Sequence, residues 1–104
     1  MVKCVQVVTT VDNEKSAKKI ARDLVGKRLA ACVQISNILS TYWWKNKIEE
    51  KNEIMCVIKG KNFKSIKEEI EKIHPYDTPE IIEVKINKTN KKYLDWLNKE
   101  VQNG

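Results

Sequence analysis

The sequence predicts an α+β fold with the element order β-α-β-β-α-β and one more helix at the C-terminus. Two observations lead there. Short runs rich in β-branched residues exchange with segments whose apolar residues recur at helical spacing, and turn or cap residues stand at the exchanges. The chain has 104 residues and 41% hydrophobic content, room for one domain around one core. The expected unit is therefore residues 1–104.

Residues 3–9 (Lys-Cys-Val-Gln-Val-Val-Thr) read as a first strand, ended by a Thr-Thr-Val-Asp-Asn turn cluster. From Glu14 the period becomes helical: Ala17, Ile20, Ala21, Leu24 and Val25 share a face, Asp12 or Asn13 supplies the N-cap, and Gly26 the stop. Residues 29–44 form a long second strand in which Ser36-Asn37 is the one candidate bulge or bend. Lys45-Asn46-Lys47 reads as a hairpin turn, because Asn tolerates the left-handed backbone that a tight connection needs. The return strand, 48–59, is polar from Glu49 to Glu53 and apolar from Ile54 to Ile58. A second helix, from about Lys64 to Ile73, turns Phe63, Ile66, Ile70 and Ile73 inward and stops before Pro75, which has no amide hydrogen. Residues 81–86 give the last core strand, and Asn90 caps a terminal helix that buries Tyr93, Leu94, Leu97 and Val101. This order is the split βαβ pattern of ferredoxin-like folds, an antiparallel sheet with helices on one face. Pairing of its first and third strands puts Cys4 and Cys56 on adjacent central strands.

The second strand is long for such a fold. Some 15 residues at about 3.3 Å each span roughly 50 Å, against a radius of gyration near ~13 Å for a chain of this size. The hairpin must protrude beyond its own body, and Tyr42, Trp43 and Trp44 at its tip then expose rings beside unpaired strand edges. Either another chain covers the ribbon, or a bend at Ser36-Asn37 folds it back over its own sheet. Strand alternation places Tyr42 and Trp44 on one face and Trp43 on the other. Aromatics so placed serve more often as interface anchors than as stacking platforms.

Several function classes fall away. The formal charge of +6 is scattered along every segment and forms no basic run. The three cysteines, Cys4, Cys32 and Cys56, are widely spaced in apolar runs, which points to packed, reduced thiols rather than disulfides. The first apolar run is broken at Gln6 and ended by Asp12, and no segment approaches the roughly 20 apolar residues of a membrane span, so a soluble cytoplasmic protein without a membrane partner is expected. There is no nucleophile with a placed base, no H-x-x-x-H and no phosphate-cradling glycine loop, and the expectation is a protein that is not an enzyme. A single-stranded nucleic-acid-binding module shares the βαββαβ order and a positive charge. Its central strands should stack bases on aromatics, and Lys-Cys-Val-Gln-Val-Val and Glu-Ile-Met-Cys-Val-Ile contain none.

Four stretches fit a known pattern in chain order: Thr9-Thr10 with the acidic-polar turn after it, Leu29-Ala30-Ala31-Cys32-Val33, Tyr42-Trp43-Trp44-Lys45-Asn46-Lys47-Ile48-Glu49-Glu50, and His74-Pro75-Tyr76-Asp77-Thr78-Pro79-Glu80. Together with Tyr93-Leu94-Asp95-Trp96-Leu97 they resemble the CutA divalent-cation-tolerance family over essentially the whole chain. The resemblance implies a ferredoxin-like subunit, a homotrimer built through the long hairpins, an architecture similar to PII signalling proteins, and a link to copper and divalent-cation tolerance. Its metal suggestion transfers to Cys32. Thiolate suits copper(I), and His74 is the only imidazole available as a second ligand. Further cysteines of some members correspond here to Thr9 and Glu69, which removes a three-thiolate site, and Asn46 stands where glycine is usual. Tyr42, Trp43, Trp44 and Tyr76 remain as ligand or interface candidates. Lys59, at a strand end close to a helix start, is the lysine placed to suit an anion between subunits.

Overall fold

β-branched residues at Val5, Val7, Val8 and Val11 give β1 (Val5–Val11) the character of a strand covered on both sides, and it lies inside the sheet. The computed structural model describes residues 4–102. After β1 come α1 (Glu14–Gly26), β2 (Ala30–Trp44), β3 (Lys47–Gly60), α2 (Phe63–Ile73), β4 (Ile81–Lys85) and α3 (Lys91–Glu100). The strands form one antiparallel sheet in the order β2-β3-β1-β4, the arrangement expected of a ferredoxin-like unit.

Alternation along β1 and β3 sends Val7, Val11, Cys56 and Ile58 to one face. There they meet Ala17, Ile20 and Leu24 of α1 and Ile66 and Ile70 of α2, all essentially inaccessible to water. Each such aliphatic side chain contributes roughly 1.5 to 3 kcal/mol by leaving water, which is what holds these two helices on the sheet. Asn13 is the N-cap of α1, its Oδ1 accepting from the Ser16 amide at 2.7 Å, and Asn62 caps α2 in the same way through the Ser65 amide. Asn90 stands at the N-cap of α3 but makes no side-chain capping bond.

The terminal helix packs elsewhere. Cys4, just ahead of β1, is buried with Leu97 and Val101 and with Ala31 and Ile86, in a cluster separate from the one that holds Val5 and Ala30. Neighbouring residues thus point to opposite faces, and α3 covers one end of the face that α1 and α2 leave open. Its C-terminal end is fastened by an ion pair between Arg28 and Glu100 at 2.8 Å and by the Gln102 amide donating to the Arg28 carbonyl. β1 and β3 pair as expected, but Cys4 stands just ahead of β1 and not on it, and the two thiols belong to different cores. All three cysteines are free, and burial pushes the Cys56 thiol up to about 11.

Two boundaries differ from expectation. β1 continues to Val11 through Thr9 and Thr10, which pair with Cys56 and Met55 and are buried, so the two threonines belong to the ladder and not to a turn. The ribbon of β2 and β3 also has no bend at Ser36-Asn37: pairing runs in one register from Cys32↔Lys59 to Trp44↔Lys47, with its irregularity between Ala30 and Cys32. Lys45 and Asn46, both with left-handed φ (50° and 66°), close a two-residue turn. The described chain is accordingly elongated, 45 × 25 × 21 Å, and every residue from Thr41 to Glu50 is exposed. The alternative in which the aromatics fold back into their own core is excluded.

At the other end of β3 the backbones come close. A Cβ on Gly60 would lie 2.9 Å from the Leu29 carbonyl oxygen and 2.6 Å from Ile66 Cδ1. The side chain can move and the carbonyl, in the segment leading to β2, cannot easily do so. Gly60→Ala is expected to cost about 1–3 kcal/mol in chemical denaturation; an unchanged denaturation midpoint would show that the Leu29 segment is free to shift.

Candidate functional site

The segment that follows α2 is shaped by one side chain. Pro75 stops the helix, and His74 folds back against the end of β1. Its Nε2 lies 2.9 Å from the Thr10 carbonyl oxygen and 3.2 Å from Thr9 Oγ1, while Nδ1 accepts from the Tyr76 amide at 3.1 Å. These partners fix a neutral ring with the proton on Nε2. Burial pushes the His74 pKa down, against the opposing pull of the Thr10 carbonyl and of the Asp12 and Glu53 charges.

That turn delivers Tyr76 across the sheet end. Its ring meets the His74 ring edge-on at 4.9 Å, and its hydroxyl donates to Glu53 Oε2 at 2.7 Å. Glu53 is 9% exposed, and its phenol partner is held far above the usual tyrosine range, by burial first and then by the carboxylate. Lys51, two residues along the same face of β3, places its ammonium 5.3 Å from the centre of the Tyr76 ring. Opposite this loop the ribbon presents Tyr42 and Trp44. Between loop and ribbon lies a cavity of about 850 Å³, lined by Thr10, Ser40, Tyr42, Trp44, Glu53 and Tyr76 among others.

Of the residues singled out in the sequence, Tyr42, Trp44 and Tyr76 line this groove, and His74 supports it from behind. Trp43 does not. It is 71% exposed on the other face of the ribbon, opposite Ile48 and in line with Ile35 and Leu39. Lys59 pairs in register with Cys32 and reaches Gln34 Oε1 at 3.0 Å, away from the groove. Cys32 is half-buried on the open face, near Tyr93 and Cys4. His74 contacts Thr9, which is three residue rows and two strands away from Cys32. Both imidazole nitrogens are engaged, so His74 offers a metal no lone pair while the Tyr76 amide bond stands. Among the described residues no three His, Cys, Asp or Glu side chains gather as a ligand set.

Glu53, Lys51 and Thr10 belong to the groove and were not signalled by the sequence. Glu53 looks like one of a run of solvated charges, and only the return of Tyr76 from 23 residues away buries it.

A family model described as "CutA1 divalent ion tolerance protein" matches residues 5–100. The chain belongs to that family. The divalent-cation tolerance protein CutA of Pyrococcus horikoshii is 37% identical over 98 residues, covering 92% of this chain and 96% of that protein. Its counterpart from Thermus thermophilus is 40% identical over 94 residues, covering 88% and 91%. The solved structure of the Archaeoglobus fulgidus protein, described as a periplasmic divalent cation tolerance protein CutA, superposes with a TM-score of 0.92 at 34% identity, over 95% of this chain and 99% of that one. The CutA fold thus includes the long ribbon, and none of the described helices is long and apolar enough to cross a membrane.

The His74 clasp has a pH signature. Its folded-state pKa lies below the ordinary value of 6.5, so the unfolded chain takes up the proton first as pH falls. Stability from the neutral ring is complete above about 6.5 and is lost as pH drops through the lowered folded-state value. Thermal midpoints measured from about pH 8 to about pH 5 are expected to fall in the wild type and to fall less steeply in His74→Gln. Equal slopes would assign the dependence to other groups.

Proposed function

We propose that residues 1–104 act as one domain of a homotrimeric divalent-cation-tolerance protein that binds rather than catalyses, with ligands held at subunit boundaries in the manner of PII proteins. The observation behind this is the ribbon. Ile35, Leu39, Trp43 and Ile48 on one face and Tyr42 and Trp44 on the other are exposed, and so are Ile82 and Val84 on the edge strand β4. A monomer would leave all of this in water, and a second and third copy of the same chain would bury it. The relatives are named as tolerance proteins, which favours a binding role over an enzymatic one.

Copper or another soft ion would take Cys32 as thiolate ligand, with the remaining donors supplied by symmetry copies. The free state of Cys4, Cys32 and Cys56 suits a reducing compartment, and the cytoplasm is the proposed location. Nucleic acid finds no support. The open face of the two central strands presents Gln6, Val8, Met55 and Val57, and no ring on which a base could stack.

Burying a large apolar side chain contributes about 1.5 to 3 kcal/mol, whereas an exposed ion pair contributes about 0 to 1. Trp43→Ala and Trp44→Ala should therefore shift sedimentation toward monomer at nanomolar concentration, while Lys47→Ala and Glu50→Ala stay trimeric. A monomeric wild type, or fully trimeric tryptophan variants, would overturn the assembly. Native mass spectrometry with copper(I) and with Cys32→Ser then reads the metal: loss of bound copper in the variant is the expected result.

A further inference from the structure

We infer that the outward side of α1 is a docking surface for a linear inorganic polyphosphate chain, held by Lys15, Lys18, Lys19 and Arg22. This surface lies on a helix, apart from the ribbon and from Cys32, and the inference does not depend on the metal reading.

Charge that is spread along the sequence is gathered here by the helical period. Lys15, Lys18, Lys19 and Arg22 recur at spacings of three and four residues, opposite the face that buries Ala17, Ile20 and Leu24, and all are exposed. They line one shallow surface depression, with the acids Glu14 and Asp23 at its edges. Lys18 pairs with Glu14 at 2.9 Å. Lys15, Lys19 and Arg22 make no hydrogen bond or ion pair with any described residue, whereas Lys67 of α2 and Lys91 of α3 are matched to Glu71 and Asp95. Helix stability does not account for the arrangement. Lys15 neighbours Lys18 and Lys19, and Arg22 neighbours both as well, like charges at spacings that oppose the helix. The lysines also stand in its N-terminal half, where the helix dipole disfavours cations, while the last turn before the Lys27 cap holds none. Charges that work against their own helix are expected where an anion from outside completes them.

The surface stays open in an oligomer. The apolar residues that a second copy would cover lie on the ribbon and on β4, whereas an interface over this side of α1 would strip water from unpaired cations. Four cations within roughly 10 Å along the helix axis exceed what one phosphate ion can meet, and they suit a thin chain with a charge on every unit. A lipid surface fits less well. It takes up aromatic or long apolar side chains beside the cations, and α1 has no ring and buries its isoleucine and leucine on the sheet. A nucleic acid brings bases along with its phosphates, and beside the stripe these would meet Glu14 and Asp23 and no ring to stack on.

Titration of the full-length protein with long-chain polyphosphate, inorganic phosphate, single-stranded DNA and phosphatidylserine vesicles, all at one near-physiological salt concentration, tests this. Polyphosphate is expected to bind more tightly than the other three and to raise the thermal midpoint. The stripe variant Lys15→Gln/Lys19→Gln/Arg22→Gln should weaken that binding by about tenfold or more, with a thermal midpoint no lower than the wild type's, since it loses like-charge repulsion. A control, Lys64→Gln/Lys88→Gln/Lys92→Gln, removes the same charge elsewhere and should weaken binding far less. Absence of polyphosphate binding overturns the inference. Equal weakening in both variants does so too, because net charge and not the stripe then attracts the chain. DNA or vesicles that match polyphosphate and are lost in the stripe variant overturn the choice of partner, and inorganic phosphate that matches it overturns the chain. A stripe variant that melts below the wild type shows that these cations serve the fold, which also overturns it.

Discussion

Everything distinctive in this chain follows from a mismatch of lengths. β2 and β3 have 15 and 14 residues, whereas α1 and α2 have 13 and 11 at less than half the rise per residue. Helices of that length cover only the part of the ribbon nearest the body. The remaining half is a two-stranded sheet with apolar residues on both faces, a form that is marginal in water by itself. The body tolerates it because the core beneath α1 and α2 closes without any residue beyond Ile54 on the ribbon side.

Charge is managed most tightly where the C-terminal end of α1 meets α2. Between α1 and α2, Lys27 bridges Asp23 at 3.2 Å and Glu69 at 2.5 Å, with Lys72 at 3.7 Å from Glu69. Asp23 Oδ2 is buried without a donor. Burial and the Glu69 contact push the Asp23 carboxyl up, while the Asp23 and Lys27 hydrogen bonds hold Glu69 down to about 2. The position at which some family members carry a thiol is thus taken here by a working part of the helix contact, not by an exposed spare acid.

Local chemistry was readable and long-range chemistry was not. Asn13, Gly26, Asn46 and Pro75 act through their own backbone neighbourhood, and each marks the boundary expected of it. The ribbon was readable because β-forming residues ran on without a breaker, and the suspected bend at Ser36-Asn37 failed because both residues fit a ladder whose cross-strand partners, Met55 and Ile54, keep the register. Thr9 and Thr10 looked like a turn because hydroxyl residues often cap; in the fold their place in the ladder is secured by His74, 64 and 65 residues away. The periodicity of α3 showed that it buries a stripe, and no periodicity states which sheet face receives it. For the groove, the aromatic half was legible in Tyr42, Trp44 and Tyr76. Glu53 was not, since its burial depends on a partner contributed by a loop beyond the next helix.

That partner ties the groove to the assembly. The Tyr76–Glu53 hydrogen bond joins the 74–80 loop, which His74 anchors to the body, to a point on β3 opposite Ile38, where the ribbon begins to leave its helices. Tyr42 and Trp44 lie further out on the same face. The bond therefore joins the body, through Tyr76 and His74, to the ribbon, through β3. If ribbons of neighbouring subunits pack on one another, the free energy of this contact and the free energy of packing are coupled. Linkage then requires each to influence the other equally, so packing that strengthens the Tyr76–Glu53 contact must itself be strengthened by it.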